Sequence, residues 1–521
     1  MRFGFVIDQR KCIGCHACTV ACKEENQVPL GAFRTWVKYV ERGTFPNARR
    51  YFSVLRCNHC DSAPCVTICP TVALYRRPDG IVDLDGARCI GCKSCMQACP
   101  YDALYIDPDS QTAAKCHYCA HRVEVGLAPA CVIVCPEQAI VAGDLDDPAS
   151  PVARLVAREQ VQVRKPEQGT RPKVFYLGAD TAALSPELQA SGERFMWSQR
   201  PAEEASLVRM VAAIQDADGR GDGARARAVY DVPHAARPWG WKVAAYLWTK
   251  SIAAGAALLT AGGLLGVIGP AISLLFLALT TALLILDLKR PDRFLYILLK
   301  PNRRSWLVWG AWILLAFGAV ETLALTSALR GTMATVPLFF ATVLLAAAAA
   351  GYSAFLFGQA EGRDFWQSPL KLPHLVVTAI AAGSAALLVA APGWTGTGFA
   401  FVTAPREMGF SDDRFTPAAT LVPIFMVALA LHALLIGAEL FSRHASHDAT
   451  VAARLLRRGA LAPWLWGGAL GAGVLAPLVL AFLAAGTEST ALTAAAALLA
   501  LAGLWIYEDA WVKAGQSIPL S

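Results

Sequence analysis

All sixteen cysteines of this 521-residue chain lie between residues 12 and 135, where they form four groups of four. The first and third groups share one spacing, with two, two and three residues between successive cysteines, and the other two groups are variants of it. A small secreted protein held together by disulfides would be far shorter than this chain, so the groups indicate metal ligands. Their members are Cys12, Cys15, Cys18 and Cys22; Cys57, Cys60, Cys65 and Cys69; Cys89, Cys92, Cys95 and Cys99; and Cys116, Cys119, Cys131 and Cys135.

The spacing of these cysteines suits a [4Fe–4S] cube. Three thiolates on one tight loop reach three irons of a cube, and the fourth thiolate, three residues further on, reaches the second cube of a pair. Gly14 and Gly91 allow the loop backbone to pass close to the sulfurs. Zinc ribbons are the alternative, but they use pairs of cysteines separated by longer spacers. We therefore predict four [4Fe–4S] clusters, with all sixteen cysteines as ligands.

An internal repeat indicates that a ferredoxin-like unit has been duplicated. The segment from Asp8 to Cys15 has the same pattern as the segment from Asp85 to Cys92, and both contain Cys-Ile-Gly-Cys. Together with the cysteine spacings, this makes residues 1 to about 175 resemble the four-cluster electron-transfer subunits of respiratory molybdenum oxidoreductases, such as the dimethyl sulfoxide and polysulfide reductases. The resemblance implies an α+β, duplicated bacterial-ferredoxin-like domain over residues 1–175.

The resemblance also implies how the cysteines are shared between clusters. In that family the first cysteine group pairs with the fourth, and the second pairs with the third. Carried over to this sequence, the implied ligand sets are Cys12, Cys15, Cys18 and Cys135; Cys22, Cys116, Cys119 and Cys131; Cys57, Cys60, Cys65 and Cys99; and Cys69, Cys89, Cys92 and Cys95.

Residues 176–240 have a different composition. Much of this stretch is rich in Ala, Asp, Arg and Gly, as in the run that begins at Asp216, and it shows neither a ligand pattern nor a sustained apolar period. We interpret it as a linker that lies over a partner or the membrane surface.

The remainder, residues 241–521, is predicted to be an all-α membrane bundle. The chain is 55% hydrophobic and only 17% charged, and its long apolar runs follow Trp241. A membrane core about 30 Å thick needs about 20 helical residues to cross it. We expect about eight spans, at Val243–Ile268, Ala271–Leu288, Trp306–Leu329, Val336–Gly358, Leu375–Ala391, Ala418–Phe441, Leu461–Ala484 and Ser489–Tyr507.

Charge placement predicts the orientation of this bundle. With eight spans, thirteen Lys and Arg residues fall on the same side as the N-terminal domain, whereas the opposite loops hold only Arg330, Arg406 and Arg414. The first apolar run ends at Asp8, too early for the core of a signal peptide. Both observations favour a bacterial inner-membrane protein whose iron–sulfur domain faces the cytoplasm. The net charge of +7 lies in loops rather than on one basic face, so we expect no nucleic-acid partner.

Two motifs relate the helical half to a second family. The segments Asp287–Phe294 and Phe365–Pro369, together with the number of spans, resemble the eight-helix polysulfide-reductase-type (NrfD-like) quinone subunits. The resemblance implies a bundle that binds membrane lipid and a quinone, either menaquinone or ubiquinone. In that family the iron–sulfur and membrane subunits are usually separate chains, whereas here they are fused.

Ionisable residues inside spans are costly and mark functional sites, and a quinone head group needs hydrogen-bond donors and a proton source. Two alternatives stay open: Asp287 could pair with Arg290 at a helix end, and Lys250 could extend to the interface. We expect Glu439 or a quinone oxygen to be the partner of Lys250. The candidate quinone-binding residues are Tyr246, Lys250, Asp287, Arg290, His432 and Glu439.

These features predict an electron-transfer and membrane-anchor subunit of a respiratory oxidoreductase complex. Its clusters would connect membrane quinone to a catalytic subunit that carries molybdopterin, since this chain has no nucleotide fingerprint or nucleophile triad of its own. No catalytic residue is assigned, and whether the chain alone is an enzyme stays open. A redox-driven ion-translocating subunit and a membrane-anchored iron–sulfur redox sensor are the alternatives.

Overall fold

The computed structural model describes residues 1–43, 46–195, 226–232, 234, 238–332, 335–390, 417–487 and 489–521. The cysteine-rich half contains short strands and helices, and the half after Trp241 contains long helices. The predicted fold class, a ferredoxin-like α+β domain followed by a helical membrane bundle, is confirmed.

In its described residues, the cysteine-rich half contains two four-stranded sheets and two hairpins. In the first sheet the order is β8–β1–β10–β9, with β1 parallel to β10; in the second the order is β11–β12–β2–β3. Hairpins β4–β5 and β6–β7 complete the strands. The strands are β1 Phe3–Asp8, β2 Thr35–Arg42, β3 Arg49–Arg56, β4 Leu74–Arg76, β5 Val82–Leu84, β6 Leu104–Ile106, β7 Ala113–Lys115, β8 Ile140–Asp144, β9 Val161–Gln162, β10 Val174–Leu177, β11 Gln189–Phe195 and β12 Ala226–Tyr230.

Short helices follow the cysteine loops, and the repeat seen in the sequence is also present in the backbone. Gly14 and His16 before the first helix, and Gly91 and Lys93 before the third, all have φ between 61° and 72°. This left-handed turn brings the loop back around the sulfurs. The helices are α1 Ala17–Glu25, α2 Pro64–Ile68, α3 Ser94–Ala98, α4 Ala120–Val123, α5 Ala130–Ile133, α6 Pro151–Arg158 and α7 Thr181–Leu184.

The segment 176–240 differs from the linker that we expected. In its described parts, β10 reaches Leu177, and strands β11 and β12 join the second sheet, where β12 pairs with β2. The segment is therefore partly integrated into the iron–sulfur domain. The Asp216 run lies outside the described residues.

Among the described residues of the second half, eight helices are long and apolar enough to cross a membrane. The first of them ends at Thr260, eight residues before the expected Ile268, because Gly262, Gly263 and Gly266 follow it and the last two have positive φ. The helices are α8 Trp241–Thr260, α9 Ile268–Asp287, α10 Tyr296–Leu299, α11 Trp306–Leu329, α12 Val336–Gly358, α13 Lys371–Ala390, α14 Pro417–Phe441, α15 His447–Arg457, a π-helix Trp464–Leu475 that continues into α16 Ala476–Thr487, and α17 Thr490–Gly515.

Helices α8 and α13 form the centre of the bundle. They are the most buried of the eight candidate spans, and they cross at two glycines. A Cβ on Gly255 would lie 1.7 Å from the carbonyl oxygen of Ala379, and a Cβ on Gly383 would lie 2.2 Å from the carbonyl carbon of Gly255. Small residues at this crossing let the two backbones approach closely, as is common in membrane helices.

The iron–sulfur domain rests on the loops of the bundle, which bind its main chain. Asn302 donates to the carbonyl of Cys69 at 2.8 Å, and Arg293 donates to the carbonyl of Cys89 at 3.2 Å. Trp239 donates from Nε1 to the carbonyl of Cys92 at 3.2 Å. The second and third cysteine groups therefore face the membrane helices.

Candidate functional site

The folded chain brings the sixteen cysteines together as four sets, which we name A to D. One cavity is lined by the thiols of set A, and a second cavity is lined by those of set B. In sets C and D the thiols interact electrostatically with one another. The sets are A, Cys12, Cys15, Cys18 and Cys135; B, Cys22, Cys116, Cys119 and Cys131; C, Cys57, Cys60, Cys65 and Cys99; and D, Cys69, Cys89, Cys92 and Cys95. These sets have the membership that the family resemblance implies.

The four sets follow one another in the order A, B, C, D. Cys18 of set A interacts with Cys131 of set B. Cys116 of set B interacts with Cys57 of set C. Cys95 of set D interacts with Cys65 of set C, so the sets form a continuous series through the domain.

The arrangement suits a multi-atom cluster better than a single ion. A zinc ion bound at about 2.3 Å by four thiolates would hold the sulfurs about 3.8 Å apart. In the part of the chain that the structure describes, no group of three or more Cys, His, Asp or Glu side chains lies close enough to bind one ion. The thiols of sets A and B instead surround cavities.

Hydrogen-bond donors point at the sulfurs, as thiolates bound to iron require. Backbone N–H groups of Gly91 and Ala113 both donate to the sulfur of Cys89 at 3.4 Å. Ala139 donates to Cys135 at 3.2 Å. These donors stabilise negative charge on the sulfur, which is the form that binds a metal.

Arg56 places a buried positive charge beside set B. Its Nη1 donates to the sulfur of Cys131 at 3.1 Å, while Nε and Nη2 are buried without a hydrogen-bond partner. Burial lowers the pKa of Arg56, but Cys131, Cys116 and Cys18 raise it above its ordinary value when they are thiolates. Two unused donors beside thiols fit a cluster whose sulfides accept hydrogen bonds.

Burial makes several of these thiols weak acids. It raises the pKa of Cys18, Cys92 and Cys116 to about 12 in each case. At neutral pH these groups would keep their protons without a metal. A metal that binds these thiols must therefore displace their protons.

Beneath set D the helical half contains a cavity of about 500 Å³, a volume typical of sites for small molecules. Cys92, Ser94 and Trp239 form its upper end, next to the iron–sulfur domain, and most of its wall is leucine, isoleucine and alanine. Its polar members on the membrane helices are Tyr246, Thr281, Asp287, Thr322 and Tyr352. An apolar cavity with a few polar groups suits an amphipathic ligand with a small head group.

One side of this cavity faces outward. Leu315 of α11 is 58% exposed, and Phe294, in the loop after α9, is 37% exposed. Because this half of the chain is surrounded by lipid, the exposed side offers an apolar chain a way in from the membrane.

The structure separates the six candidate quinone-binding residues. Tyr246 and Asp287 line the cavity. Asp287 does not pair with Arg290; its carboxylate accepts from Lys93 of the iron–sulfur domain at 2.9 Å, while Arg290 pairs with Asp292 at 2.8 Å. The turn after α9 carries Arg290 out to the domain interface, where its backbone N–H binds the carbonyl of Ile90.

Lys250 is buried behind the cavity wall. It is 1% exposed, so it does not extend to the interface. Its partners are the Ser353 hydroxyl at 2.8 Å and the Ala350 carbonyl at 2.9 Å rather than the expected Glu439. Its ammonium lies 4.7 Å from the ring centroid of Tyr352, which lines the cavity.

The other two candidates, His432 and Glu439, lie in a different part of the bundle. They are joined through His374, whose Nε2 is 2.9 Å from His432 Nδ1 and whose Nδ1 is 3.7 Å from Glu439 Oε2. Sequence reasoning missed Lys371, His374 and Glu508 because all three lie just outside the predicted spans, whereas α13 and α17 include them. They therefore lacked the signal that selected the other candidates, which was an ionisable residue inside a predicted span. Trp239 and Tyr352 had no such signal.

Three protein-family models match the chain. The model described as polysulphide reductase, NrfD, matches residues 232–518. The model of a 4Fe-4S dicluster domain matches residues 48–145, and that of a 4Fe-4S binding domain matches residues 10–26. Iron–sulfur binding is therefore attributed to the same half of the chain that carries the cysteine sets.

Curated relatives match about a third of the chain. A tetrathionate reductase subunit of Salmonella typhimurium is 47% identical over 202 residues, which are 38% of this chain and 80% of that protein. Protein NrfC of Escherichia coli is 42% identical over 178 residues, 34% of this chain and 80% of that protein. One of the polysulfide reductase proteins of Wolinella succinogenes is 39% identical over 179 residues, 33% of this chain and 93% of that protein.

Proposed function

The chain belongs to the polysulphide reductase family NrfD, and from that premise we propose that it carries electrons through four [4Fe–4S] clusters to or from a quinone in the cavity beneath set D. It is an iron–sulfur, electron-transfer and membrane-anchoring subunit of a respiratory reductase complex, and its eight apolar helices make it a multi-pass membrane protein. The number of clusters and the quinone are the parts that we add.

One observation carries the proposal. The four cysteine sets form a series, and the last set contributes Cys92 to the wall of the cavity that Tyr246 and Asp287 also line. An electron that leaves set D therefore meets the cavity without passing through intervening protein. This shared wall connects the two halves of the chain.

The residues of the chain have distinct parts in this function. When bound, the clusters supply one-electron transfer, and the quinone takes up two electrons and two protons. Arg56 stabilises negative charge at set B. Tyr246 would hold the quinone ring by donating a hydrogen bond, and Asp287, fixed by Lys93, would exchange protons with it. The leucine-rich wall keeps water out.

The opposite end of the series suits a partner protein. Cys15 of set A is exposed, and large apolar side chains around the sets at this end are also exposed: Ile13 by 55%, Val20 by 62% and Leu30 by 96%. Exposed apolar residues next to an exposed ligand favour a docked catalytic subunit. By resemblance we assign molybdopterin to that subunit, and the names of two relatives favour a sulfur compound as its substrate.

We place this domain and its partner on the cytoplasmic side of a bacterial inner membrane. This placement is supported by the excess of basic residues in the loops that contact the iron–sulfur domain. The opposite loops hold three basic residues, and two of them, Arg406 and Arg414, lie outside the described residues.

Filling the cavity tests the proposed quinone site. Ala311 of α11 lines the cavity, whereas Ala316, further along the same helix, is exposed on the outer face. We expect Ala311→Trp to weaken quinone binding by at least about tenfold, or about 1.4 kcal/mol, with the iron content unchanged. Ala316→Trp is the matched control and should bind quinone as the wild type does. Equal binding by both variants, measured by quinone titration of the purified chain in lipid nanodiscs, would exclude this cavity.

A further inference from the structure

The helical half contains a second group of buried ionisable residues, apart from the cavity, which we name the inner cluster. All of its members are at most 2% exposed, and they come from α13, α14 and α17. Ionisable groups at this depth are costly and are found where a protein moves ions or protons. The inner cluster consists of Lys371, His374, His432, Glu439, Tyr507 and Glu508.

Glu439 is the hub of the inner cluster. Its Oε2 accepts from the Tyr507 hydroxyl at 3.1 Å, and its Oε1 accepts from Trp511 Nε1 at 3.2 Å. Oε2 also lies 3.7 Å from Nδ1 of His374, and the other ring nitrogen of His374 is 2.9 Å from His432. A carboxylate and two imidazoles in line form a chain of groups that each bind and release a proton.

Glu508 has an unusual environment within this cluster. Both of its carboxylate oxygens are buried without a hydrogen-bond partner. Nζ of Lys371 lies 3.8 Å from Oε2 of Glu508 and 3.3 Å from the ring centroid of Trp511. A buried carboxylate with two unused oxygens requires a proton or a water molecule to satisfy it.

Glu508 also connects the inner cluster to the cavity. Its charge interacts with Lys250 and with Tyr246, the cavity residue assigned to the quinone ring. The packing gives the same connection, because the ring of Trp511, which contacts both Lys371 and Glu439, stacks on Trp366 at 5.9 Å. Trp366 in turn stacks at 5.4 Å on Trp239, which lines the cavity.

The other end of the inner cluster reaches the side of the bundle that holds the iron–sulfur domain. His444 follows the end of α14 and is half-buried, and its Nε2 has no hydrogen-bond partner. Burial lowers the pKa of His444, and the charge of Glu439 acts in the opposite direction. The ring of His444 lies 6.3 Å from that of Phe365, and the Phe365 ring lies 6.1 Å from that of Trp511, which donates to Glu439. His444 is therefore the titratable group between the hub and this side of the bundle.

We propose that the inner cluster is a proton relay that runs from His444 through Glu439 and Glu508 to the cavity. This inference rests on the proposed quinone site. Each quinone reduced there takes up two electrons from set D and two protons, and the protons enter from the side of the membrane that holds the iron–sulfur domain. Oxidation of a quinol reverses both flows. His374 and His432 hold a proton beside Glu439 in either direction.

The test compares Glu508→Gln with a matched control in the same bundle. Glu321 on α11 is also a buried carboxylate, 1% exposed, and interacts with Ser273 rather than with the inner cluster. The intact chain, with its clusters loaded, is placed in lipid nanodiscs and reduced with dithionite. The excess dithionite is removed, and a short-chain quinone is then mixed in without oxygen, so that its electrons come from the clusters. We expect Glu508→Gln to slow quinone reduction by about 10²-fold, with a larger solvent isotope effect and an altered pH profile, while Glu321→Gln stays within about twofold of the wild type.

Infrared difference spectra give a readout that does not depend on the rate. Reduction of the quinone is expected to produce a carboxyl band that shifts in D₂O and is missing in Glu508→Gln but present in Glu321→Gln. Should Glu508→Gln assemble poorly, Glu508→Asp keeps a carboxyl group and should shift the band while retaining more of the rate.

The proposal is overturned if Glu508→Gln and Glu439→Gln keep the wild-type rate, pH profile and infrared spectrum, or if Glu508→Asp leaves the band in place. A wild-type chain that does not bind quinone at all would overturn the proposed quinone site, and the relay with it. Cluster signals and quinone titration of the wild type separate that result from a failure of the relay alone.

Discussion

Arg56 is a single side chain that sets the electrostatics of one cysteine set. It is 1% exposed and donates to the sulfur of Cys131 in set B. A reduced cluster carries one more negative charge than an oxidised one, so a nearby cation stabilises the reduced form. We therefore expect the residue to tune a reduction potential rather than to bind iron.

We expect Arg56→Met to lower the reduction potential of the set B cluster. A hydrogen bond to a charged group contributes about 1.5–3 kcal/mol, and about 1.4 kcal/mol corresponds to about 59 mV for one electron, so the expected decrease is about 60–130 mV. A redox titration followed by electron paramagnetic resonance measures it. Arg50→Met on the same strand is the control, because Arg50 is exposed and paired with Glu41; an equal shift in both variants would contradict the assignment.

Individual residues also show how much of the candidate site can be predicted from the sequence. The depth of Tyr246 and Asp287 in apolar helices identified them as candidates, and the structure places both at one cavity. The same signal selected His432 and Glu439, which contact a different group of residues. Depth in a helix marks an ionisable residue as functional, but only the packing of α8, α13, α14 and α17 decides which residues meet. The role of each candidate in binding quinone stays a prediction.

The loop before α3 is an element whose shape depends on one glycine. Gly91 has φ +68°, and a Cβ there would lie 2.5 Å from Cβ of Lys289 in the bundle. The loop thus combines a left-handed turn with a close contact between the two halves of the chain.

We expect Gly91→Ala to cost the chain its set D cluster, or about four irons, and to loosen the contact with the bundle. The control is Gly126→Ala, which has φ +80° but open space around it. Both substitutions incur the left-handed strain of about 1–2 kcal/mol, and only the first adds a clash. Iron analysis of the two purified variants measures the difference. Full iron content in Gly91→Ala would show that the loop adapts.

The residues after β12 provide a pH-dependent attachment to the iron–sulfur domain. His234 lies 2.8 Å from Asp102 and 3.4 Å from Asp231. Burial lowers the pKa of His234, but the charges and hydrogen bonds of Asp102 and Asp231 raise it to about 9. The stabilisation is complete below the ordinary histidine pKa of about 6.5 and is lost as the pH rises through about 9.

We expect His234→Gln to lower the unfolding temperature of the chain at pH 6 and to leave it unchanged near pH 10. The free-energy difference at low pH is at most about 3.5 kcal/mol, from about 1.4 kcal/mol for each unit of pKa. Thermal unfolding of both proteins across this pH range measures it. His121→Gln, at an exposed histidine paired with Glu25, is the control, and a difference that persisted at pH 10 would contradict the role of the ion pair.

Strands β11 and β12 show why some elements could not be predicted from the sequence. Neither has a long alternating pattern, and β12 pairs with β2, from which it is separated by more than 180 residues. Long apolar helices carry their own signal and were found, with differences only at their ends. Helix α17 continues beyond the expected Tyr507 to Gly515 because Glu508 is buried inside the protein and Asp509 pairs with Lys513.

At the scale of the whole molecule, the proposed orientation can be tested directly. A reporter fused after Ser521 should be active only in its cytoplasmic form, and an epitope inserted after Gly331, in the loop between α11 and α12, should be accessible from the outside. An epitope inserted after Arg303, in the loop next to the iron–sulfur domain, is the control and should be protected in intact cells. The reverse pattern would move the catalytic partner to the outer side.

The contact between the two halves has a consequence for the order of assembly. The side chain of Asn302 donates to three carbonyls of one turn, those of Val66, Thr67 and Cys69. Such a contact depends on the path of the backbone rather than on the identity of any side chain. We expect that path to be fixed when the neighbouring cysteines bind iron. We therefore expect the membrane half to dock a metal-loaded domain in preference to a metal-free one, which would make this contact a quality check during biogenesis.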